Sequence, residues 1–417
     1  MNNNVEENNQ SMAAKLPRPG GGKTLSWLVY GGMALFAVLC VVSASFFSAS
    51  AEVVHTTSDK GRSDLGWSAD KLPSKAKKTW EKEGFNHLID SQGLIVASRG
   101  DSVVRLDPHS GDTLWEYRRP GATVCDIVSN DSSVVTLFDA GRGCSEITKL
   151  DEKTGEYKYV ASYATDQKKA RLVSGDGNMV GIVTPKTFRL LRSDLVTVTT
   201  YGAGVDVTNP SEKTYDNCTI FDAALGPNDF VVSSRCEGEQ KTMVRAFSND
   251  PEDSEELELT VEVDSGVADP VSITMVSMAQ MQFIIPGQSP KVYTWQLDKE
   301  KTELAARDVR QGEYATGMWD YPGIGYAWGI GETLNVRFGS EDISKSVKTE
   351  GVIGNPMTAD SRIVAPTREG FLLWDTKNNS KHMIKTDQNL SGRKYAFAGD
   401  TFVELVRGKL IAHKVEG

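Results

Sequence analysis

Apolar and polar positions alternate over short distances along most of this chain. After about Lys77, apolar runs rich in Val, Ile, Phe and Tyr are separated by clusters of Gly, Asp, Asn and Pro. No convincing amphipathic helical stretch interrupts them. Short alternating runs bounded by turn residues are typical of β-strands joined by tight turns. The pattern therefore predicts an all-β domain.

Residues 102–121, SVVRLDPHSGDTLWEYRRPG, predict a β-hairpin because strand formers flank a turn of Asp, Pro and Gly. A second copy, KLDEKTGEYKYV, occupies residues 149–160. A hairpin that recurs at this spacing indicates a repeated structural unit. Taking the hairpin as the outer half of each unit predicts seven four-stranded units: residues 86–121, 122–164, 170–204, 217–263, 271–309, 314–351 and 355–387.

The C-terminal unit contains three strands, KYAFAG, TFVELVRG and KLIAHKVEG, and its fourth strand is predicted at the other end of the domain. KTWEKEG, at residues 78–84, resembles TLWEYRRPG of the first hairpin, with Trp80 matching Trp115. An N-terminal strand that completes the last blade would remove an open sheet edge. The sequence thus predicts an eight-bladed β-propeller of roughly 42 residues per blade. Seven blades are the alternative if the sixth unit is wrongly separated, and a pair of β-sandwiches would explain neither the repeated hairpin nor the matching ends.

A membrane segment is predicted before the propeller. Residues 25–48 form an apolar run without charge, long enough to span a bilayer as one helix. Basic residues precede it and the next one is Lys60, so the positive-inside rule places the N-terminus in the cytoplasm. We expect a disordered tail at 1–24, a flexible stalk at 49–76 and an extracytoplasmic propeller at 77–417. The Ala-Ser-Ala before Glu52 leaves signal-peptide cleavage open, although the apolar run is longer than an ordinary signal segment.

Four of the five cysteines form two evenly spaced pairs, which predicts the disulfides Cys125–Cys144 and Cys218–Cys236. Disulfides would place the domain in an oxidising compartment, in agreement with the predicted topology. Four buried free thiols are the alternative.

Composition and motifs argue against several functions. The net charge is −10 and no basic run stands out, so nucleic-acid binding is not expected. The five histidines are not at metal-ligand spacing, and no nucleophile, phosphate-loop or zinc-protease motif occurs. We therefore predict no catalytic, cofactor-binding or metal-binding residues, and a protein that is not an enzyme.

Two concentrations of Met and aromatic residues are candidates for binding an apolar ligand or partner segment, because inner strands line the channel of a propeller. Packing between blades is the alternative explanation. The candidates are Met275, Met278, Trp319, Tyr321, Tyr326 and Trp328.

The turn Leu106-Asp107-Pro108-His109-Ser110-Gly111 followed by Trp115 resembles the repeat of the quinoprotein-like (PQQ-type) propellers. That resemblance implies the fold. A PQQ-dependent dehydrogenase, which would need a calcium site, is an alternative function, and an envelope sensor is another.

In topology, size and blade style the chain also resembles the membrane-anchored periplasmic propellers of mycolate-bearing actinobacteria, the polar growth factor family. This resemblance implies a non-enzymatic binding or scaffold protein of cell-envelope biogenesis and lipid transport. Its expected partners are the cytoplasmic membrane, a glycolipid such as trehalose monomycolate, and envelope membrane proteins such as a transporter. The chain is similar too to the propeller scaffold of outer-membrane protein assembly, a lipoprotein, but it lacks a lipobox because Leu39 precedes Cys40.

Overall fold

The computed structural model describes most of the chain after residue 52 and one short segment before it. Residues 1–52 and 53–417 form two separate units. The described residues are 30–38, 53–59, 75–91, 93–163, 168–175, 179–203, 215–251, 257–277, 280–285, 287, 290–297, 305–308, 326–337, 344–359, 362–386, 390 and 392–416.

One helix, α1, covers residues 30–38 and is exposed. It lies inside the segment predicted to span a membrane, and the rest of that segment is outside the described residues. Within the ranges given above, no helix has both the length and the apolar content needed to cross a bilayer.

The unit from residue 53 onwards is all-β, as the alternating pattern predicted. In chain order its described strands are β1 (Val54–Thr56), β2 (Lys75–Glu83), β3 (His87–Ser91), β4 (Leu94–Arg99), β5 (Ser102–Leu106), β6 (Thr113–Arg118), β7 (Thr123–Ser129), β8 (Ser133–Asp139), β9 (Cys144–Asp151), β10 (Tyr157–Ser162), β11 (Arg171–Ser174), β12 (Val180–Val183), β13 (Thr187–Leu191), β14 (Thr197–Gly202), β15 (Cys218–Leu225), β16 (Asp229–Cys236), β17 (Met243–Ser248), β18 (Leu259–Asp264), β19 (Ser272–Val276), β20 (Gln280–Ile285), β21 (Lys291–Gln296), β22 (Ala305–Asp308), β23 (Tyr326–Ile330), β24 (Thr333–Arg337), β25 (Ser344–Lys348), β26 (Met357–Ala359), β27 (Arg362–Thr367), β28 (Gly370–Asp375), β29 (Ser380–Lys385), β30 (Lys394–Ala398), β31 (Thr401–Val406) and β32 (Lys409–Glu416).

These strands form antiparallel meanders in which sequence neighbours pair. The first sheet contains β3 to β6 with β1 at its outer edge, and the second to fifth sheets contain β7–β10, β11–β14, β15–β18 and β19–β22. Strands β23–β25 form a three-stranded sheet, and β26–β29 join β2, β32, β31 and β30 in an eight-stranded one.

The first strands of successive sheets contact one another in series. Strand β3 contacts β7, which contacts β11, and the series continues through β15 to β19. On the other side, β26 contacts β30, and β30 contacts β3, so the C-terminal strands lie beside the first sheet. Radial meanders in this order are the architecture of a β-propeller. The arrangement is propeller-like, whereas the number of blades stays a prediction.

The apolar core lies between neighbouring sheets. One cluster joins the first and second sheets through Val96, Trp115 and Phe138, which are all fully buried. Another joins the first sheet to the last strands through Ile95 and Ala412. A buried Val, Leu or Phe contributes about 1.5–3 kcal/mol, so these layers hold each sheet to its neighbours.

The predicted N-terminal strand closes the domain against its last strand. Strand β2 pairs with β32 in an antiparallel ladder from Lys75↔Glu416 to Glu83↔Lys409. Trp80 packs against the cluster shared by the first and last sheets, and its Nε1 donates a hydrogen bond to the Pro108 carbonyl at 2.8 Å. β2 starts two residues before the predicted domain boundary at residue 77.

Part of the segment predicted as a flexible stalk also forms a strand. β1 pairs with β6, and Ser58 N–H donates to the Thr154 carbonyl at 3.0 Å, in the outer turn of the second sheet. Residues 53–59 therefore lie along the outer edge of the first two sheets.

Candidate functional site

Charged and polar side chains lie on the first strands of four consecutive sheets. His87 begins β3, Asp126 lies in β7, Arg171 begins β11 and Asp222 lies in β15. We call these four residues the polar arc. They are far apart in sequence, and the contacts between the strands bring them together.

The two aspartates have the same local structure. Each follows a register shift in its strand, between Val124 and Asp126 in β7 and between Ile220 and Asp222 in β15. A β-bulge of this kind reorients a side chain relative to a regular strand. Each carboxylate accepts one hydrogen bond from the following N–H of its own strand, at 2.9 Å.

The second oxygen of each aspartate reaches the next sheet. Asp126 Oδ2 accepts the N–H of Leu172 at 2.8 Å, and Asp222 Oδ2 accepts the N–H of Ile273 at 2.8 Å. Hydrogen bonds to an ionised acceptor are among the stronger ones in proteins. The aspartates therefore hold the first strands of adjacent sheets in register, and this fixes the geometry of the arc.

Arg171 completes the link between the third and fourth sheets. Its Nη2 forms an ion pair with Asp222 Oδ1 and donates to the Ala223 carbonyl at 2.9 Å. Burial raises the pKa of Asp222, and Arg171 partly opposes that rise by favouring the carboxylate. The Arg171 side chain is 40% exposed, so a guanidinium held in place still faces solvent.

His87 lies at the other end of the arc. Its Nδ1 lies 2.7 Å from Ser98 Oγ and its Nε2 lies 3.9 Å from Asp126 Oδ1. Burial lowers the pKa of the imidazole, and the nearby Asp126 carboxylate works in the opposite direction. Lys394, the first residue of β30, lowers it further. A lowered pKa keeps the ring neutral near pH 7, as both a donor and an acceptor.

Ser98, His87 and Asp126 are the residue types of a hydrolytic triad. Their geometry, however, favours the positioning of a bound polar group over catalysis. A separation of 3.9 Å is beyond a hydrogen bond, and Ser98 is fully buried. A nucleophile must reach the reacting carbon of an external substrate. The arrangement suits the binding of a polar group better than acyl transfer.

The sequence-predicted binding residues lie elsewhere. Met275 and Trp328 are both buried and pack together in one small cluster with Ile330. Tyr326 is the first residue of β23. Met278, Trp319 and Tyr321 are outside the described residues.

Sequence reasoning did not find the polar arc, although a signal was present. Asp126 and Asp222 are the charged residues of two mostly apolar first strands, TVCDIVS and CTIFDAAL. A partly buried charge requires a partner, but the partners here belong to other sheets.

Both predicted disulfides are present, Cys125–Cys144 and Cys218–Cys236. The first ties Cys125, the residue at the bulge beside Asp126, to the start of β9. The second joins residues directly opposite each other on β15 and β16. His87 also forms a hydrogen bond with the Cys125 backbone, which favours the protonated imidazole, so the first disulfide borders the arc. Nowhere in the described ranges do three or more His, Cys, Asp or Glu side chains form a group that could hold a metal ion.

Taken together, the sheet order and the polar arc define an all-β, propeller-like protein with a polar site on its first strands. No protein-family model matches the chain, and no curated protein matches it in sequence.

Several solved propeller structures are similar to it. BamB from Moraxella catarrhalis is 12% identical, with a TM-score of 0.43 over 81% of this chain and 99% of that one. The Cps50 (Swd1) β-propeller domain from Myceliophteria thermophila is 7% identical, with a TM-score of 0.42 over 87% and 100%. Hsv2 from Kluyveromyces lactis is 15% identical, with a TM-score of 0.39 over 55% and 73%. At these identities and TM-scores the likenesses carry no functional conclusion.

Proposed function

We propose that this chain is a non-enzymatic binding or scaffold protein of the cell envelope. In this proposal residues 25–48 anchor it in the cytoplasmic membrane with the N-terminus inside, and an eight-bladed propeller, with β2 in its last blade, lies outside. The uncharged run at 25–48 supports the anchor. The two disulfides support an oxidising compartment.

The observation that carries the binding role is the polar arc. Four consecutive sheets contribute a neutral imidazole, two carboxylates and a partly exposed guanidinium, and hydrogen bonds between sheets fix them. Preorganised donors and acceptors lose little entropy when they bind a polar group. The arc therefore suits a ligand with several hydroxyl or other hydrogen-bonding groups.

A glycolipid is the ligand class that we propose, with trehalose monomycolate as the first probe. Its support is the resemblance to the membrane-anchored periplasmic propellers, together with the donors and acceptors of the arc. An envelope transporter is the proposed protein partner. In this function the protein would receive or present the lipid without changing it.

The test is binding of trehalose monomycolate to the detergent-solubilised full chain, measured by native mass spectrometry. We expect Arg171→Ala and His87→Ala to weaken binding at least tenfold. Arg192→Ala is the matched control, because Arg192 is an exposed arginine paired with Asp194 outside the arc. Binding that is absent in the unmodified chain would refute the ligand, and binding that survives both arc substitutions would refute the site.

A further inference from the structure

Large apolar side chains are exposed along one part of the outer edge of the domain. Val54 on β1 is 41% exposed, and Tyr157, Tyr159 and Val160 on β10 are 47%, 45% and 52% exposed. We call these four residues the rim patch. We infer that the rim patch rests on a lipid surface.

The two strands that carry the rim patch are connected across the first two sheets. His55, next to Val54, packs edge-on against Tyr117 with ring centroids 5.6 Å apart, and its Nε2 lies 2.6 Å from the Gly155 carbonyl oxygen. Tyr117 in turn lies near Tyr157. The pKa of Tyr157 is raised, first by its partial burial and then by the neighbouring Tyr117. The segment of β1 is therefore fixed beside β10.

The chain itself leads from this patch to the predicted membrane segment. This step rests on the proposed function, because it takes residues 25–48 as the anchor. The predicted span ends at residue 48, and Val53 already packs against the core of the first two sheets. Five residues of extended chain reach at most about 18 Å. In this proposal, a connection of that length limits the distance between β1 and the end of the span.

The composition of the patch suits that position. Tyrosine is enriched at membrane–water interfaces, where the ring lies among apolar groups and the hydroxyl stays hydrated. Lys158, between the two tyrosines, makes an ion pair with Asp151 at 3.1 Å and donates to Ser133 Oγ at 3.0 Å. The charge of Lys158 is therefore paired within the protein. The neighbouring apolar side chains can then contact the lipid.

A protein strand is the competing occupant. In the described residues β10 pairs only with β9, so its outer edge could accept a strand as β6 accepts β1. We favour lipid because of the short tether and because four exposed apolar side chains lie together on the strands it reaches.

The test places a photoreactive p-benzoylphenylalanine at Tyr157 or Tyr159 of the full chain. The chain is reconstituted in vesicles of phosphatidylethanolamine and phosphatidylglycerol that carry a tritiated lipid. Leu259 on β18 is the matched control, since it is 44% exposed on the outer strand of another sheet. We expect lipid adducts at 157 and 159 at least fivefold above those at 259. Equal labelling at all three positions, no labelling, or adducts to a second protein chain alone would overturn the inference.

Carbonate extraction of the same vesicles separates this inference from the anchor on which it rests. A chain that stays in the membrane but gives no lipid adducts at 157 and 159 refutes the rim patch alone. A chain that is extracted refutes the anchor, and the rim inference falls with it. Retention together with selective adducts supports both.

Discussion

Trp115 lies directly over Gly155, the turn glycine of the next sheet. A Cβ at Gly155 would come within 2.7 Å of Trp115 Cγ, and Trp115 Nε1 donates to the Glu152 carbonyl at 3.0 Å. Trp80 has the same relationship to Gly111, with a Cβ distance of 2.9 Å to its Cδ2. The repeated hairpin is therefore a joint between sheets, in which an outer-strand tryptophan covers the turn of its neighbour.

Gly155→Ala should destabilise the protein more than an alanine at a comparable glycine. Gly155 has a φ of +76° and Gly121 a φ of +79°, so alanine at either position costs about 1–2 kcal/mol of backbone strain. A Cβ at Gly121 meets nothing within 4 Å, whereas at Gly155 it meets Trp115. Overpacking should add about 1–3 kcal/mol. Urea unfolding measures the free energy of unfolding of both variants. Equal losses would contradict the packing of Trp115 on the Gly155 turn.

Trp80→Ala should loosen the closure between the two ends of the domain. The substitution removes the side chain that packs on the first sheet and its hydrogen bond to Pro108. We expect faster hydrogen exchange in β32, at Leu410 and Ala412, which pair with β2. Exchange in β17 of the fourth sheet is the internal control and should not change. Uniform acceleration would mean global destabilisation, and no acceleration in β32 would show that Trp80 does not secure the closure.

Removal of either disulfide should lower the free energy of unfolding by a similar amount. The pairs are separated by 19 and 18 residues, and closing a loop of this size contributes about 3 kcal/mol in the chain-entropy model. The Cys125→Ser/Cys144→Ser and Cys218→Ser/Cys236→Ser double variants can be compared by urea unfolding. Peptide mapping under non-reducing conditions checks the pairing itself. Cysteines 125 or 218 that are alkylated without a reductant would refute it.

Acid should weaken the protein through Glu404. Burial alone raises the pKa of this carboxyl, but hydrogen bonds from His413 and Arg393 outweigh it, and the pKa lies below its ordinary value of 4.5. A lowered folded-state pKa adds stability above pH 4.5, which is lost as the pH falls through the lower folded value.

Glu404→Gln tests this linkage because it removes the charge and keeps the shape. Breaking a buried ion pair costs roughly 3 kcal/mol, so we expect a loss of that order at pH 7. The difference between the variant and the unmodified chain should shrink as the pH falls below 4.5 and through the lowered folded-state pKa, where Glu404 becomes protonated. Glu416→Gln, at the exposed end of β32, is the control. A difference that stays constant throughout an acid titration of the folded protein would contradict the assignment.

Local features of this fold were readable from the residues. The Asp107 and Asp151 turns, with Gly111 and Gly155 at positive φ, follow from turn chemistry that depends on a few neighbouring residues. The disulfides join strands within one sheet, so spacing was enough to predict their pairing. The match of Trp80 to Trp115 indicated the N-terminal strand because the two tryptophans occupy equivalent positions in similar strand sequences.

The all-β repeat, the turn residues and the pairing of the two ends of the domain follow from the residues alone. Which side chains of different sheets meet depends on the tertiary structure. Arg171 and Asp222 are 51 residues apart and belong to separate sheets, and Trp115 covers a glycine 40 residues further on. Such contacts depend on how each sheet is rotated against the next, which the packing of all the core clusters sets jointly. The residue pattern along a single strand does not specify that rotation.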